Sequence, residues 1–271
     1  MSLATFLETH RSVIETRLVR VRGSSPREAG ATMFVAADAL FGTIGGGQLE
    51  YMAIDKARAM LRSGAEAAEM DVPLGPEIGQ CCGGRVELSL RQMAEADRAQ
   101  ALAAETHRLA ALPHVYILGA GHVGRALAQL FQHLPVRSVL VDGRAPELEL
   151  CDADVEKRLS VMAEADIRNA PPGSAFIVLT HDHALDFLLT AEALARRDAA
   201  YVGLIGSTTK RVKFERFCAE QTPPADATGL TCPIGAGGGP DKRPEIIAAF
   251  VVAEVMATLT ATADQAREDA R

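Results

Sequence analysis

The 271-residue chain lacks an excess of positive charge, a long apolar run and a cysteine framework. Its formal net charge is −7, which argues against general affinity for nucleic acid; an anionic ligand would need a local basic pocket. The longest uninterrupted apolar run, Ile246 to Ala253, falls far short of the roughly 20 residues that a bilayer span requires. Met1 to Arg11 shows no basic start followed by an apolar stretch, so no signal peptide is read there. Five cysteines, an odd number in a chain of this length, do not make a disulfide scaffold, and no C-x-x-C pair marks a metal site. The Tyr-x-x-x-Lys pair of short-chain reductases is missing too: Tyr51 is followed at that spacing by Asp55, with Lys56 one place off. These absences predict a soluble, reduced, cytoplasmic protein with neither a nucleic-acid nor a membrane partner.

What is present is an ordinary globular balance, 48% hydrophobic and 23% charged, in a length that favours two domains. Residues 1–112 read as a smaller α+β domain. Leu3 to His10 predicts a helix, and Val13 to Val21, Ala31 to Ala36 and Leu40 to Ile44 predict strands. Leu49, Met52, Ala53, Ala57 and Met60 recur at helical spacing up to Gly64. Glu69 to Leu74 and Arg85 to Leu90 bracket a glycine-rich loop as strands, and the Ala-rich segment Ala94 to Leu112 reads as a helix closed by Pro113. Residues 113–271 alternate apolar strands (Val115 to Leu118, Ser138 to Val141, Ala175 to Thr180, Tyr201 to Ile205) with helical patterns. That alternation predicts a Rossmann-like parallel sheet covered on both faces, an α/β fold class. Ile246 to Leu259 is apolar nearly all round, which predicts a buried helix, and Thr260 to Arg271 reads as a fraying tail.

Four stretches can carry chemistry. In Gly75-Pro-Glu-Ile-Gly-Gln-Cys-Cys-Gly-Gly84, Cys81 and Cys82 precede Gly83 and Gly84 at the tip of a strand connection. It is either a tight turn with two inert thiols or a loop presenting a thiolate beside glycine N–H groups. Gly119-x-Gly121-x-x-Gly124 follows a strand and opens a helix, with Asp142 at the end of the next strand where a ribose hydroxyl would be held. That is the dinucleotide fingerprint in its required context, so NAD(P) or another nucleotide is a candidate ligand. Gly45-Gly46-Gly47, leading into the helix that carries Glu50, is either an anion site or a close chain crossing. Ser207, with Thr208, Thr209, Lys210 and Arg211, is either part of a phosphate site or a helix cap with a solvated basic face. In His181-Asp182-His183 no further ligands are spaced to complete a zinc site, and Asp182 reads better as a helix cap.

Seven segments occur in an order that carries a resemblance: Gly23 to Ala31 (GSSPREAGA), Gly42 to Glu50 (GTIGGGQLE), Cys81 to Gly84 (CCGG), Tyr116 to Leu127 (YILGAGHVGRAL), Leu179 to Asp186 (LTHDHALD), Tyr201 to Ser207 (YVGLIGS) and Cys232 to Gly235 (CPIG). Over nearly its whole length the chain resembles the XdhC/CoxI family of accessory proteins for xanthine dehydrogenase and related molybdenum hydroxylases. The resemblance implies a chaperone, not an enzyme, that binds the molybdenum cofactor (molybdopterin), supports its sulfuration with a cysteine desulfurase and inserts it into the apo-hydroxylase. Carried onto this sequence, it makes Cys82 the first choice for the cofactor contact, including a contact to molybdenum, and Cys81 the second. A homo-oligomer is also expected. Ala236 to Arg243 departs from the family pattern, where Leu-Asp-Ile-Gly and a short link to Thr-Pro-Glu commonly follow Pro-Ile-Gly. The readings from other classes are an NAD(P)-dependent oxidoreductase, resting on Gly119 to Gly124, and a thiol sulfurtransferase, resting on a persulfide at Cys82.

Overall fold

The computed structural model describes residues 1–75, 83–239 and 241–269. It divides into two compact units, Met1–Ala110 and Ala111–Arg271. The first contains α1 (Leu3–Thr9), β1 (Ile14–Arg22), β2 (Thr32–Val35), β3 (Leu40–Gly42), α2 (Gly47–Ser63), β4 (Ala67–Pro73), β5 (Arg85–Gln92) and α3 (Glu95–Ala110). Its strands form one antiparallel sheet in the order β3-β2-β1-β5-β4. Alternation decides which face is dry. Ile14 and Leu18 of β1 and Val86, Leu88 and Leu90 of β5 pack against Leu49, Ala53, Ile54, Ala57 and Met60 of α2. The other face carries Glu15, Arg17 and Arg91, and α3 lies over that side of the unit with no buried residue of its own.

A β-bulge re-aims the end of β1. Leu18 pairs with Leu88 but Arg20 with Glu87, so Val19 is an extra residue in β1 and stands exposed. Beyond it the alternation changes phase, and Val21, paired with Val86, turns to the α2 face. The bulge delivers the chain into the Gly23 to Glu28 segment. The next turn is held by an acid from α2. The Glu50 carboxylate accepts from the Thr43 hydroxyl at 2.6 Å and from the N–H groups of Ile44 and Gly46 at 3.1 and 3.0 Å. Burial raises its pKa, but the Thr43 hydroxyl and the N–H groups of Gly46, Ile44 and Gly45 outweigh that and hold it below its ordinary value.

The second unit contains β6 (His114–Leu118), α4 (His122–Phe131), β7 (Arg137–Asp142), α5 (Ala145–Glu149), β8 (Glu156–Leu159), α6 (Ala163–Arg168), β9 (Ala175–Val178), α7 (His183–Ala195), β10 (Tyr201–Leu204), α8 (Thr208–Glu220), β11 (Leu230–Thr231) and α9 (Pro244–Asp269). All six strands are parallel, in the order β11-β10-β9-β6-β7-β8. Numbered from β6 as the first strand, this is 6-5-4-1-2-3, the dinucleotide-binding order, with its reversal between β6 and β9. Alternate strand residues serve two cores. Val115, Ile117, Leu140, Ala175 and Ile177 pack on α4 and α9, while Tyr116, Leu118, Val139, Phe176 and Leu204 pack on α6, α7 and α8.

Helix α9 departs from two expectations. It is helical past Thr260, as far as Asp269. Its buried residues Ala248, Val251, Val255 and Leu259 form one stripe, whereas Phe250 is 40% exposed, so the helix is not buried all round. The segment Pro244–Thr262 is long and apolar enough to cross a membrane by length and composition, which the uninterrupted run alone does not reveal. Here Glu254, in its middle, accepts from the Tyr201 hydroxyl at 2.5 Å, tying α9 to β10.

One buried ion pair joins the carboxyl ends of β9 and β10. Lys210 Nζ on α8 lies 2.5 Å from Asp186 Oδ2 on α7, and the other Asp186 oxygen accepts from the N–H and the hydroxyl of Thr180, both at 2.8 Å. Removing one partner strands a charge in a site with little water, so Lys210→Met should lower unfolding stability by about 3–5 kcal/mol in urea titrations. The Asp186→Asn/Lys210→Met double variant should recover part of that loss. The Glu50 turn gives a milder, pH-dependent effect. Glu50→Gln should cost about 1 kcal/mol at neutral pH. A carboxylate whose folded pKa is depressed stabilises above its unfolded pKa, so the wild-type advantage should disappear as pH falls through the folded value, read by thermal unfolding of both proteins against pH.

Candidate functional site

In the first unit, three of the family-like segments meet at one end of the sheet. Ser24 and Gly83 form an isolated parallel bridge. Gly84 passes Ser24 so closely that a Cβ on it would lie 2.1 Å from the Ser24 carbonyl oxygen. Gly83 donates to the Leu74 carbonyl at 2.8 Å, and Leu74 donates to the Gly84 carbonyl at 2.7 Å, closing the neck of the loop between β4 and β5. Cys81 and Cys82 belong to that loop and lie outside the described residues. The triple glycine meets the same neighbourhood: a Cβ on Gly45 would lie 2.9 Å from the Pro26 Cβ and 3.4 Å from the Arg27 Cγ. The Ser25 hydroxyl is buried here and has no hydrogen-bond partner among the described residues.

The geometry at Gly45, Gly46 and Gly47 favours the close crossing over the anion site. Gly45 N–H donates to the Thr43 hydroxyl and Gly46 N–H to Glu50, so the chain's own carboxylate takes the place an anion would have. An external anion would have to displace it.

In the second unit, two of the fingerprint glycines sit at close chain contacts. Gly119 has φ 128°, and a Cβ there would lie 2.4 Å from the Leu179 carbonyl oxygen. A Cβ on Gly124 would lie 1.9 Å from the Gly119 carbonyl oxygen, so α4 rests directly on the turn. Gly121 has open space where its Cβ would be, and α4 starts there without a side-chain cap. A cavity of about 230 Å³ lies at the carboxyl ends of β6, β7 and β9. Leu118, Val141, Ala163, Leu185 and Leu189 line it with apolar surface, and Asp142, Arg144, Ser160, Thr180 and His181 supply polar groups.

Asp142 does not present a free carboxylate to this cavity, contrary to the ribose-hydroxyl expectation. Its Oδ1 accepts from the N–H and Nε of Arg144, both at 2.9 Å. Its Oδ2 accepts from Ala120 N–H at 2.8 Å and from Arg144 Nη2 at 2.9 Å. Burial works to raise its pKa, but the Arg144 side chain and the two N–H donors prevail and leave it depressed. Arg144 sits two residues after the strand and gave no signal in the sequence reading; a strand ending in Asp-x-Arg is the pattern that reveals it.

Ser207 is resolved in favour of the cap: its hydroxyl accepts from Lys210 N–H at 3.4 Å at the start of α8. Lys210 itself turns inward to Asp186, so the expected phosphate site lacks its lysine. Asp182 caps α7 through Ala184 and Leu185, as read from sequence. Among the described residues no group of three or more His, Cys, Asp or Glu side chains is placed to hold a metal ion. Cys151, Cys218 and Cys232 are all buried free thiols.

Comparison with known proteins agrees with this architecture. Residues 115–255 match the model of the XdhC Rossmann domain, and residues 6–71 match that of the XdhC and CoxI family. The uncharacterized protein YqeB of Escherichia coli (strain K12) is 27% identical over 259 residues, which cover 89% of this chain. The chain spans only 42% of the length of that relative. A crystal structure of a protein described as a xanthine dehydrogenase, from Bacillus halodurans, superposes with a TM-score of 0.77 over 96% of both chains at 19% identity, a likeness of fold. With an antiparallel α+β unit, a six-stranded Rossmann unit and both family models matched, the chain belongs to the XdhC and CoxI family.

Proposed function

We propose that the protein is an accessory chaperone that binds the molybdenum cofactor, supports its sulfuration and inserts it into apo-xanthine dehydrogenase or a related molybdenum hydroxylase. The observation that carries this reading is the meeting of the Gly23 to Glu28, Gly42 to Glu50 and Gly83-Gly84 segments at one end of the sheet in the first unit. The Gly23 to Glu28 segment touches both others, Gly83-Gly84 at Ser24 and Gly45 at Pro26, so the chain that directly follows Cys82 is held against two further segments of the family pattern. Molybdenum in the cofactor is bound by sulfur and oxygen, and a cysteine thiolate is a soft donor suited to it. The buried Ser25 hydroxyl, with no partner among the described residues, gives an oxygen or sulfur acceptor something to bond to.

The three cysteines within the described residues are all buried, which favours the same assignment. Burial raises the pKa of Cys218 and of Cys232, in the latter against the pull of Lys210 and Arg211, so neither thiolate forms readily at neutral pH. The family resemblance sets the proposed order, Cys82 first and Cys81 second. A cysteine desulfurase would supply sulfur, and the hydroxylase would be the recipient.

The test is cofactor analysis of protein purified from cofactor-replete extract. Wild type should carry releasable pterin, Cys82→Ala should lose most of it and Cys81→Ala less. Gly84→Ala, whose Cβ has no room beside Ser24, should also lose pterin because the neck of the loop must open. Equal pterin in wild type and Cys82→Ala, or none in wild type, would sink the proposal.

A further inference from the structure

The cavity of the second unit points to a ligand of its own. It lies where strand order reverses, at the carboxyl ends of β6, β7 and β9, the place where open α/β sheets hold their ligands. At about 230 Å³ it is smaller than the roughly 300–1,000 Å³ of pockets that enclose a whole drug-sized ligand. Such a slot takes one ring system with its sugar and leaves the remainder outside. The nearest place for that remainder is the uncapped start of α4, where Gly121 carries no Cβ and the first turn has no acidic residue. Backbone donors there suit a diphosphate.

The carboxylate and arginine at the rim decide which sugar fits. An ionised carboxylate has about four acceptor positions. On Asp142 they are taken by Arg144 N–H, Arg144 Nε, Arg144 Nη2 and Ala120 N–H. No acceptor position is left for the ribose diol of NAD. Arg144 is in the reverse condition. A guanidinium has five N–H bonds, and the Asp142 fork engages Nε and one on Nη2. The Nη1 group lies 3.8 Å from Glu147, beyond hydrogen-bonding distance, and the side chain is 38% exposed. Glu147 is itself engaged by Arg125 at 2.7 Å. Asp142 thus fixes the orientation of a guanidinium whose remaining donors are open at the mouth of the slot.

We infer that this cavity binds the adenosine half of a nucleotide that carries a phosphate on its ribose, as NADP does, with Arg144 meeting that phosphate and Val141, Leu185 and Leu189 flanking the base. The site discriminates against NAD because its one carboxylate is already saturated. All its residues come from the second unit, so it does not depend on the thiol loop and stands apart from the chaperone proposal.

Calorimetry on the full-length, molybdenum-free protein tests it, with NADP⁺, NAD⁺, adenosine 2′,5′-bisphosphate, AMP and inorganic phosphate as probes. NADP⁺ and the bisphosphate should bind at least about tenfold more tightly than NAD⁺ and AMP, the scale of one hydrogen-bonded charge contact. Arg144→Gln should bring NADP⁺ to the level of NAD⁺, and Cys82→Ala should leave both unchanged. Because loss of the Asp142 pair can disturb the turn, Leu189→Trp serves as a second variant that fills the slot without touching that pair; it should abolish binding of every adenine nucleotide. No adenine nucleotide bound at millimolar concentration, equal affinity for NAD⁺ and NADP⁺, or a preference that survives Arg144→Gln would overturn the inference. Inorganic phosphate binding as tightly as the bisphosphate would reduce the site to a simple anion contact and overturn it as well.

Discussion

The structure depends on backbone passing backbone with no space for a side chain, most tightly at two points. Gly84 runs beside the Ser24 carbonyl, where a Cβ would come within 2.1 Å, and Gly124 runs beside the Gly119 carbonyl, where it would come within 1.9 Å. Such distances lie far inside van der Waals contact, so any substitution must move the main chain rather than a side chain. The first crossing locks the exit of the thiol loop to the end of β1. The second seats α4 on the turn after β6 and so sets where its uncapped start points. In each unit the tightest contact framing the candidate site is between one glycine and one carbonyl.

Carboxylates acting as internal ligands are the second constraint. Glu50, Asp142 and Asp186 each end up surrounded by donors from their own chain: three contacts to the Thr43 to Gly46 turn, four to Arg144 and Ala120, and three to Thr180 and Lys210. Each makes a turn at the end of a strand rigid before any ligand arrives. A low-dielectric environment strengthens these bonds, most fully at Asp142, where all four acceptor positions find donors. Preorganisation of this kind also restricts what can bind. A saturated carboxylate no longer recruits hydroxyls or cations, and the neighbouring arginine becomes the group that selects.

The same carboxylates explain which parts of the site were legible in the sequence. The glycine fingerprint and Asp142 were readable because spacing along one chain determines them. The partner of Asp142 was not, since whether Arg144 folds back on the acid or reaches outward depends on its rotamer and on the Ala120 amide arriving from another turn. Gly45 to Gly47 had two readings for a related reason: the anion that fills the turn is Glu50, and only the folded α2 brings it back. Among fold elements, β6, β7, β9 and β10 were legible as apolar runs, being covered on both faces. The edge strand β8 was not. Its four residues, Glu-Lys-Arg-Leu, alternate between exposed and half-buried, and charge on an edge strand hides its β character while protecting the edge from further pairing. The two-residue β11 and the short α5 and α6 carry too little pattern to read. Helix α9 misled for the opposite reason, because composition reports how apolar a helix is and not which of its faces is covered.

The thiol chemistry and the nucleotide recognition proposed for this chain would divide between the two units in a way that follows from burial. In the second unit the cysteines are packing residues: Cys151 lies in the core on the α4 side and Cys218 and Cys232 in the core on the opposite side. A thiol in such a place loses hydration on ionising, so even Cys232, with Lys210 and Arg211 near enough to favour its thiolate, stays protonated. The second unit offers amides, a helix start and Arg144 to a ligand, but its three thiols are buried. The first unit has the opposite endowment. Its sheet offers no topological crevice of the parallel kind, yet its sequence places both remaining thiols, Cys81 and Cys82, immediately before two glycines whose neighbours are defined. Burial of the three described thiols is therefore the physical reason for proposing the sulfur chemistry in the first unit, while the cavity beside Arg144 is the reason for proposing nucleotide recognition in the second.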